Sequence, residues 1–325
     1  MQIFSTDSFK RGEGASLRLD SDSVIFFENE LTAYDGKDFE TIKASLSSFG
    51  LFNQKDIGDK VATIYKYNMI EGTGRSKYAA VKGGLVKDAP FMSVAGNQYA
   101  MDFADIYCGI QFSKADIMAG AKTGRDIIAF QRRQALRSNM ELMNTTCFNG
   151  DKAVGVPGVF SNPSIRSETI VVDEQAGIVD LALANDGAKL LSTLKGLVTD
   201  ALDATKGLIA PNVLAVSPKI YANLVYSPWA AANGTASVAQ VFSQMMGVRV
   251  VSVPEFAKGS IVSTTKEMAL LYNDNPDFIE HIVSNMFEID ELQRHGIGYM
   301  SYCMSRHAGV CIRQPKSVTK ITNAS

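Results

Sequence analysis

The sequence predicts an α+β fold, and three stretches carry that prediction. Residues 114–148 read as one long helix behind two capping signals. Residues 185–255 alternate helix, strand, helix, helix, strand, and the flanking residues 62–112 and 258–313 hold strand-length runs rich in aromatic and β-branched side chains. With 325 residues, 46% of them hydrophobic and 20% charged, the chain is long enough to bury a sizeable core and to hold two modules. A net charge of −2 gives no global attraction to nucleic acid and argues against a protein that reads DNA sequence. The four cysteines, Cys108, Cys147, Cys303 and Cys311, form no CxxC pair and read as reduced core residues. No 18 apolar residues run together, and MQIFSTDSFKRGEG lacks a continuous apolar stretch, so the expectation is a cytoplasmic product without a membrane span.

Taken in order, residues 1–36 alternate polar, Gly and short apolar pieces and read as an extended arm, either frayed or laid on another surface. Residues 38–49 read as a short helix, with Phe39, Ile42, Leu46 and Phe49 at helical spacing and Gly50 just past its end. From Lys60 the period changes. Residues 62–70 and 75–81 read as two strands around the turn Glu71-Gly72-Thr73-Gly74, closed by Gly83-Gly84 and Asp88-Ala89-Pro90. This hairpin is striped with Lys66, Arg75, Lys77, Lys82 and Lys87, and an isolated hairpin is marginal in water, so it needs a neighbour within the chain or outside it. Its tip, GTGRSK, fails the spacing of a phosphate-binding loop.

Residues 102–112 read as a strand with Ile106, Cys108, Ile110 and Phe112 on one face, leading into the long helix. Ser113 with Asp116 and Thr123 with Asp126 each place an acceptor where free helical N–H groups need one, so the helix is expected to start twice, bending near Gly120 and Gly124. Ala129, Leu136, Met140, Met143 and Cys147 fall on one face beyond the bend, and Asn149-Gly150 ends the run.

The residues that follow are Phe148, Gly150, Asp151, Gly155, Pro157, Gly158, Asn162 and Pro163, in the run FNGDKAVGVPGVFSNP. A long helix followed by this loop resembles the segment after the spine helix in tailed-bacteriophage major capsid proteins of the Hong-Kong-97-type fold. The resemblance runs from about Glu30 to Pro315 as an order of elements with two short motifs, the second being GVCIRQP near the C-terminus. It implies an N-terminal arm with a short helix (1–54), an extended β-hairpin loop lying over the adjacent subunit (55–90), a first part of a peripheral domain with the spine helix (91–184), an inserted α/β axial domain (185–255), and the rest of the peripheral domain (256–325).

In the proposed axial module, Leu190, Leu194, Leu197, Val198, Ala201 and Leu202 define an amphipathic helix ending near Gly207. Residues 212–216 read as a buried strand, Ser217-Pro218 as the start of a helix, Ser237 as the cap of another ended by Gly247, and residues 248–253 as a strand. Trp229, in the loop between those helices, reads equally as core or contact. Residues 170–172 read as a short strand, and 174–185 have no clear pattern. Residues 268–272, 278–283, 298–306 and 310–313 read as strands, the last two joined by a turn at His307-Ala308-Gly309 and all expected in one sheet with the strand before the spine helix.

Enzyme signatures are lacking. His281, His295 and His307 have no metal-site spacing, no GxSxG or GxGxxG occurs, and the carboxylates Asp102, Asp105, Glu288, Asp290 and Glu291 read as solvated faces, so no catalytic, cofactor or metal site is expected. The resemblance implies a major capsid protein that assembles with itself into pentamers and hexamers of an icosahedral shell around double-stranded DNA, a container that needs no basic surface. It also implies separate scaffold and portal proteins, with assembly in the host cytoplasm. The expected subunit-interface residues are Tyr67, Arg75, Lys77, Tyr78 and Lys82, and the expected hinges are Gly72, Gly74, Gly83, Gly84, Gly120 and Gly124. Some relatives join Lys to Asn covalently, but no such partner of Lys77 or Lys82 is evident. The alternatives are an encapsulin-like nanocompartment shell enclosing a cargo enzyme and a soluble α/β enzyme with an unrecognised site.

Overall fold

The computed structural model describes residues 43–76, 91–123, 126–173, 178–229 and 236–323. The chain divides into residues 1–43 and 44–325, and all elements named here belong to the second unit. In order they are α1 (Ser48–Leu51), β1 (Gln54–Asp56), β2 (Ile64–Thr73), β3 (Ser93–Asp102), β4 (Ala104–Ser113), α2 (Lys114–Thr123), α3 (Ile127–Asn149), β5 (Arg166–Thr169), α4 (Gly187–Thr205), β6 (Val213–Val216), α5 (Pro218–Tyr226), α6 (Val238–Met246), β7 (Arg249–Ser252), β8 (Met268–Tyr272), β9 (Ile279–Ile289), β10 (Gln293–His295), β11 (Gly298–Ile312) and β12 (Val318–Thr322). The expected arm, 1–36, and most of the expected helix 38–49 lie outside the described residues. The helix seen there, α1, contains Gly50 instead of stopping before it.

The first sheet is built on β11. β4 pairs with it antiparallel over ten consecutive positions, from Ser113 opposite Gly298 to Ala104 opposite His307. β9 pairs with the other edge, β1 adds parallel to β9, and β10 turns back on β11. β4 alternates as expected, burying Ala104, Ile106, Ile110 and Phe112. The expected turn at His307-Ala308-Gly309 is not there. β11 runs straight through it as one strand, with register shifts against β9 and Gly309 at φ 78°. An extra residue in one strand explains why a glycine at positive φ mimicked a turn in the sequence.

The helix starts twice, as expected. Ser113 and Asp116 form a reciprocal cap, the Asp116 N–H donating to Ser113 Oγ at 3.0 Å and the Ser113 N–H to Asp116 Oδ2 at 3.1 Å. At the second start Asp126 itself is the N-cap, accepting from the Ala129 N–H at 2.9 Å, while Thr123 is the last residue of α2. The buried stripe of α3 keeps Met143 and Cys147 of the expected face but has Ala135 and Asn139 where Leu136 and Met140, both half-buried, were expected, and it carries polar groups. Asn139 Nδ2 donates to Ser305 Oγ at 3.0 Å inside the protein. Asn144 takes the Ser48 N–H at 2.9 Å and gives its own N–H to Glu255 Oε1 at 2.8 Å, tying α1 and the 3-10 turn Pro254–Phe256 to the long helix.

The second sheet runs β5-β12-β8-β6-β7. One face packs under α4, α5 and α6, where Leu190, Leu194, Ile220, Leu224 and Phe242 meet Leu214, Val216 and Leu271. The alternate residues Val213, Ala215, Leu270 and Tyr272 face a core with Phe52, Phe148, Phe256 and Val310. The caps at Ser217 and Ser237 and the left-handed stops at Gly207 and Gly247 follow the expected pattern, and Asp186, which the sequence reading did not single out, caps α4. Two strand expectations are corrected. β8 belongs to this second sheet, hydrogen-bonded to β6 and β12, and the strand expected at 170–172 is β5, four residues earlier in its start. β6 is flanked by apolar faces on both sides and needs a partner on each edge, which short-range patterning does not reveal. Trp229 is 42% exposed, and its backbone N–H donates to the Ala236 carbonyl at 3.3 Å.

Candidate functional site

Among the described residues the longest largely exposed element is the ribbon of β2 and β3. Its ten residue pairs run from Ile64 opposite Asp102 to Thr73 opposite Ser93. β2 therefore takes β3 as its partner and not the expected return strand at 75–81, of which residues 77–81 lie outside the described residues. Arg75 and Ser76 carry no strand, and the true return strand begins at Ser93. β3, SVAGNQYAMD, has one β-branched residue and weak alternation, which hid it.

The two faces of the ribbon differ. One face carries Tyr65, Tyr67 and Met101, which pack with Phe103 against Ile282, Ala308 and Cys311 of the first sheet. Tyr67 stacks on its cross-strand partner Tyr99 with ring centroids 5.3 Å apart, and burial pushes its hydroxyl up to about 12. The other face and the far end present apolar groups to solvent: Ile70 is 76% exposed, Val94 73%, and Phe91, just before β3, 95%. A two-stranded ribbon holding such groups in water is unfinished as a solitary structure.

Two arginines of the body hold its root. Arg306 donates to both carboxylate oxygens of Asp105, its Nη2 reaching Oδ2 at 3.0 Å, and its Nη1 reaches the carbonyls of Lys60 and Ala62. The Arg306 guanidinium holds the Asp105 carboxyl below its ordinary range. Arg313 donates to the Tyr65 hydroxyl at 3.1 Å and to Glu280, and lies 5.7 Å from the Tyr67 ring centroid. Neither arginine was singled out in the sequence, where an alternating Arg reads as an ordinary solvent-facing residue.

Of the expected interface residues, Tyr67 is at the root and Arg75 is exposed near the tip, while Lys77, Tyr78 and Lys82 lie outside the described residues. Among the expected hinges, Gly72 is a paired β2 residue and Gly120 lies within α2, so neither is at a bend. Gly74 follows the strand, and Gly83, Gly84 and Gly124 are outside the described residues.

The loop after α3 has a specific local role. Gly150 takes φ 68° and returns the chain so that the Val159 and Phe160 N–H groups donate to the carbonyls of Cys147 and Phe148, at 3.0 and 2.8 Å. These are carbonyls that a helix end leaves free. The turn between them is closed by two hydrogen bonds joining Asp151 and Val156, with Gly155 at φ 81°. A Cβ on Gly158 would lie 2.0 Å from the Gly150 nitrogen, and one on Gly309 would lie 2.5 Å from the Pro157 carbonyl oxygen. The Phe160 and Asn162 carbonyls both accept from Lys320 Nζ at 3.1 Å, and Pro163 sits in the exposed turn beyond. Phe148 is fully buried, edge-on to Phe256 at 5.3 Å. The motif thus locks the helix end against β11 and β12.

One titratable cluster lies beneath this loop. Cys147, His281 and His307 are buried with ligand atoms within 4.8 Å of one another, and His281 Nε2 meets His307 Nδ1 at 3.3 Å. Burial lowers His281 to about 3 and His307 to about 4, and it pushes the Cys147 thiol up to about 12. His281 Nδ1 has no partner, whereas a metal-bound imidazole needs an acceptor for its second N–H. The trio is better suited to a neutral contact between β9, β11 and α3 than to a metal.

The sequence matches the family model described as "Major capsid protein" over residues 77–323. No curated relative matches. Solved structures share the fold at low identity. The capsid of Myoviridae phage XM1 is 10% identical, with 93% of this chain and 100% of that chain covered and a TM-score of 0.79. A structure from Mycobacterium phage Adephagia is 10% identical over 92% of this chain and 98% of that chain, with a TM-score of 0.64. A virus-like particle from Pyrococcus furiosus is 12% identical over 84% and 90%, with a TM-score of 0.53. Because the family match spans well over half of the chain, and the α+β architecture agrees with it, the protein belongs to the major capsid protein family.

Proposed function

We propose that copies of this chain close an icosahedral shell as pentamers and hexamers around double-stranded DNA, with the β2–β3 ribbon of each copy lying over its neighbour. As a major capsid protein it is a component of the virion shell and not an enzyme. The observation that carries the ribbon's role is its exposed apolar groups, with Ile70, Val94 and Phe91 held in solvent on an element whose root is fixed by Arg306 and Arg313. In this reading the first sheet with α3 is the peripheral domain, and α4–α6 on the second sheet form the axial domain, to which β5, β8 and β12 also contribute strands. Bending between shell positions falls to the break between α2 and α3 and to the ribbon near Gly74. Contacts of modest strength suffice because each copy has several neighbours. Separate scaffold and portal proteins complete the assembly in the host cytoplasm.

Changing Ile70 and Val94 to Lys tests this. The double variant should fold with an unchanged melting temperature, because both side chains are already in solvent, and should form no closed particles in negative-stain microscopy. Normal particles from that variant would remove the ribbon from the assembly contacts. Nuclease-protected double-stranded DNA in purified native particles supports the phage head, and a co-purifying enzyme in its place supports a compartment shell.

A further inference from the structure

We propose that Cys108 and Cys303 are a redox-modified pair, which closes into a cross-strand disulfide when the protein meets an oxidising thiol–disulfide environment. They are directly opposed residues in the uninterrupted β4–β11 ladder. Directly opposed residues of an antiparallel pair have Cα atoms about 4.5–5.5 Å apart, and disulfides span about 4.4–6.8 Å, so bridging needs side-chain rotation and no backbone movement. Both side chains belong to the small cluster of Ile110, Phe112 and Ala135 under α3, and all four cysteines of the chain are free thiols in the structure.

Access is asymmetric. Cys303 is fully buried, whereas Cys108 is partly exposed and lines a cavity of about 280 Å³ between β4 and α3, bounded by Gln131, Ala135 and Ser138. A small disulfide of the glutathione class can therefore reach Cys108 first. The Cys108 thiolate attacks one sulfur of that disulfide, forming a mixed disulfide and releasing one small thiol. Cys303, giving up its proton to solvent, then attacks the Cys108 sulfur and expels the second small thiol. Two protein thiols are oxidised and one external disulfide is reduced, so the exchange needs no other oxidant. Burial, and then the Cys108 thiol beside it, push Cys303 up to about 12, which slows the second step at neutral pH. A reducing cytoplasm therefore leaves the pair open, and slow closure follows outside it. The bridge staples the strand that feeds α2 and α3 to the central strand of the first sheet, closing most of the body into one covalent loop.

The test uses the intact purified protein, treated with oxidised glutathione or with dithiothreitol, then alkylated under denaturing conditions and peptide-mapped by mass spectrometry. The expected result is a peptide linked through Cys108 and Cys303, with Cys147 and Cys311 alkylated. The thermal midpoint should also rise in a way that dithiothreitol reverses. Cys108→Ser should show the same midpoint in both treatments, and the mapping of the unmodified sequence holds even if that variant folds poorly. Four alkylated cysteines after oxidation would overturn the proposal, as would a lasting glutathione adduct on Cys108 or a link from Cys303 to another chain.

Discussion

Arg306 and Asp105 face each other across the β4–β11 ladder, and the same guanidinium reaches past Asp105 to the Lys60 and Ala62 carbonyls where the ribbon leaves the body. One side chain thus joins the sheet to the ribbon's root. Arg306→Gln should cost about 1–3 kcal/mol, the range for lost hydrogen bonds to a charged group. Hydrogen exchange should rise at residues 62–66 and stay unchanged in α4–α6. Unaltered exchange at the root would show that Arg306 is not its anchor.

The His281–His307 contact makes stability depend on pH. Burial holds His281 at about 3 and His307 at about 4 in the fold, while an unfolded chain titrates near 6.5. Below that unfolded value the unfolded chain binds more protons than the folded one. Stability should therefore fall from about pH 6.5 down toward the folded values, at up to about 1.4 kcal/mol per pH unit for each ring. Urea unfolding at a series of pH values reads this slope. His307→Asn should flatten it, and an equal slope in that variant would place the acid sensitivity elsewhere.

The loop after α3 is expected to be intolerant at Gly158 and permissive at Gly155. Gly158→Ala forces a Cβ to within 2.0 Å of the Gly150 nitrogen, so backbone must move and the helix-end hydrogen bonds from Val159 and Phe160 are disturbed, a loss of about 2–4 kcal/mol. Gly155→Ala meets open space and costs only the positive-φ strain, about 1 kcal/mol. Thermal unfolding of the two variants should separate them clearly, and equal midpoints would contradict the close-approach account.

Asn144 is expected to be a stability residue despite its polarity. Asn144→Leu removes the acceptor of the Ser48 N–H and one of the two donors to Glu255 Oε1, the other being the Ser47 N–H at 3.0 Å. Leaving the Ser48 N–H without its acceptor and the buried Glu255 carboxylate with one donor fewer should cost about 2–4 kcal/mol by chemical denaturation. A loss below about 0.5 kcal/mol would mean water replaces Asn144 there.

Much of the fold was legible because its signals are local. The caps at Ser113, Ser217 and Ser237 and the stops at Gly150, Gly207 and Gly247 depend on a few adjacent residues, and they appear where the sequence puts them. Strand pairing is not local. β3 lacks the composition of a strand and is fixed by pairing with β2 and the Tyr67–Tyr99 stack, and β8 is placed by its two neighbours. Gly309 looked like a turn because a bulge and a turn use the same backbone conformation. The polar ties of Arg306, Asn139 and Asn144 join residues more than 90 positions apart, so nothing in their local sequence announced them.

The central claim is that the ribbon is completed by another copy of the chain, and light scattering of a shortened protein tests it most directly. Replacing residues 69–97 by a two-residue Asn-Gly turn keeps the root pairs of Asn68 with Gln98 and of Tyr67 with Tyr99. The shortened chain should keep native circular dichroism and scatter as small species at concentrations where the full chain forms closed particles. Particles of full size and yield from the shortened chain would contradict the account.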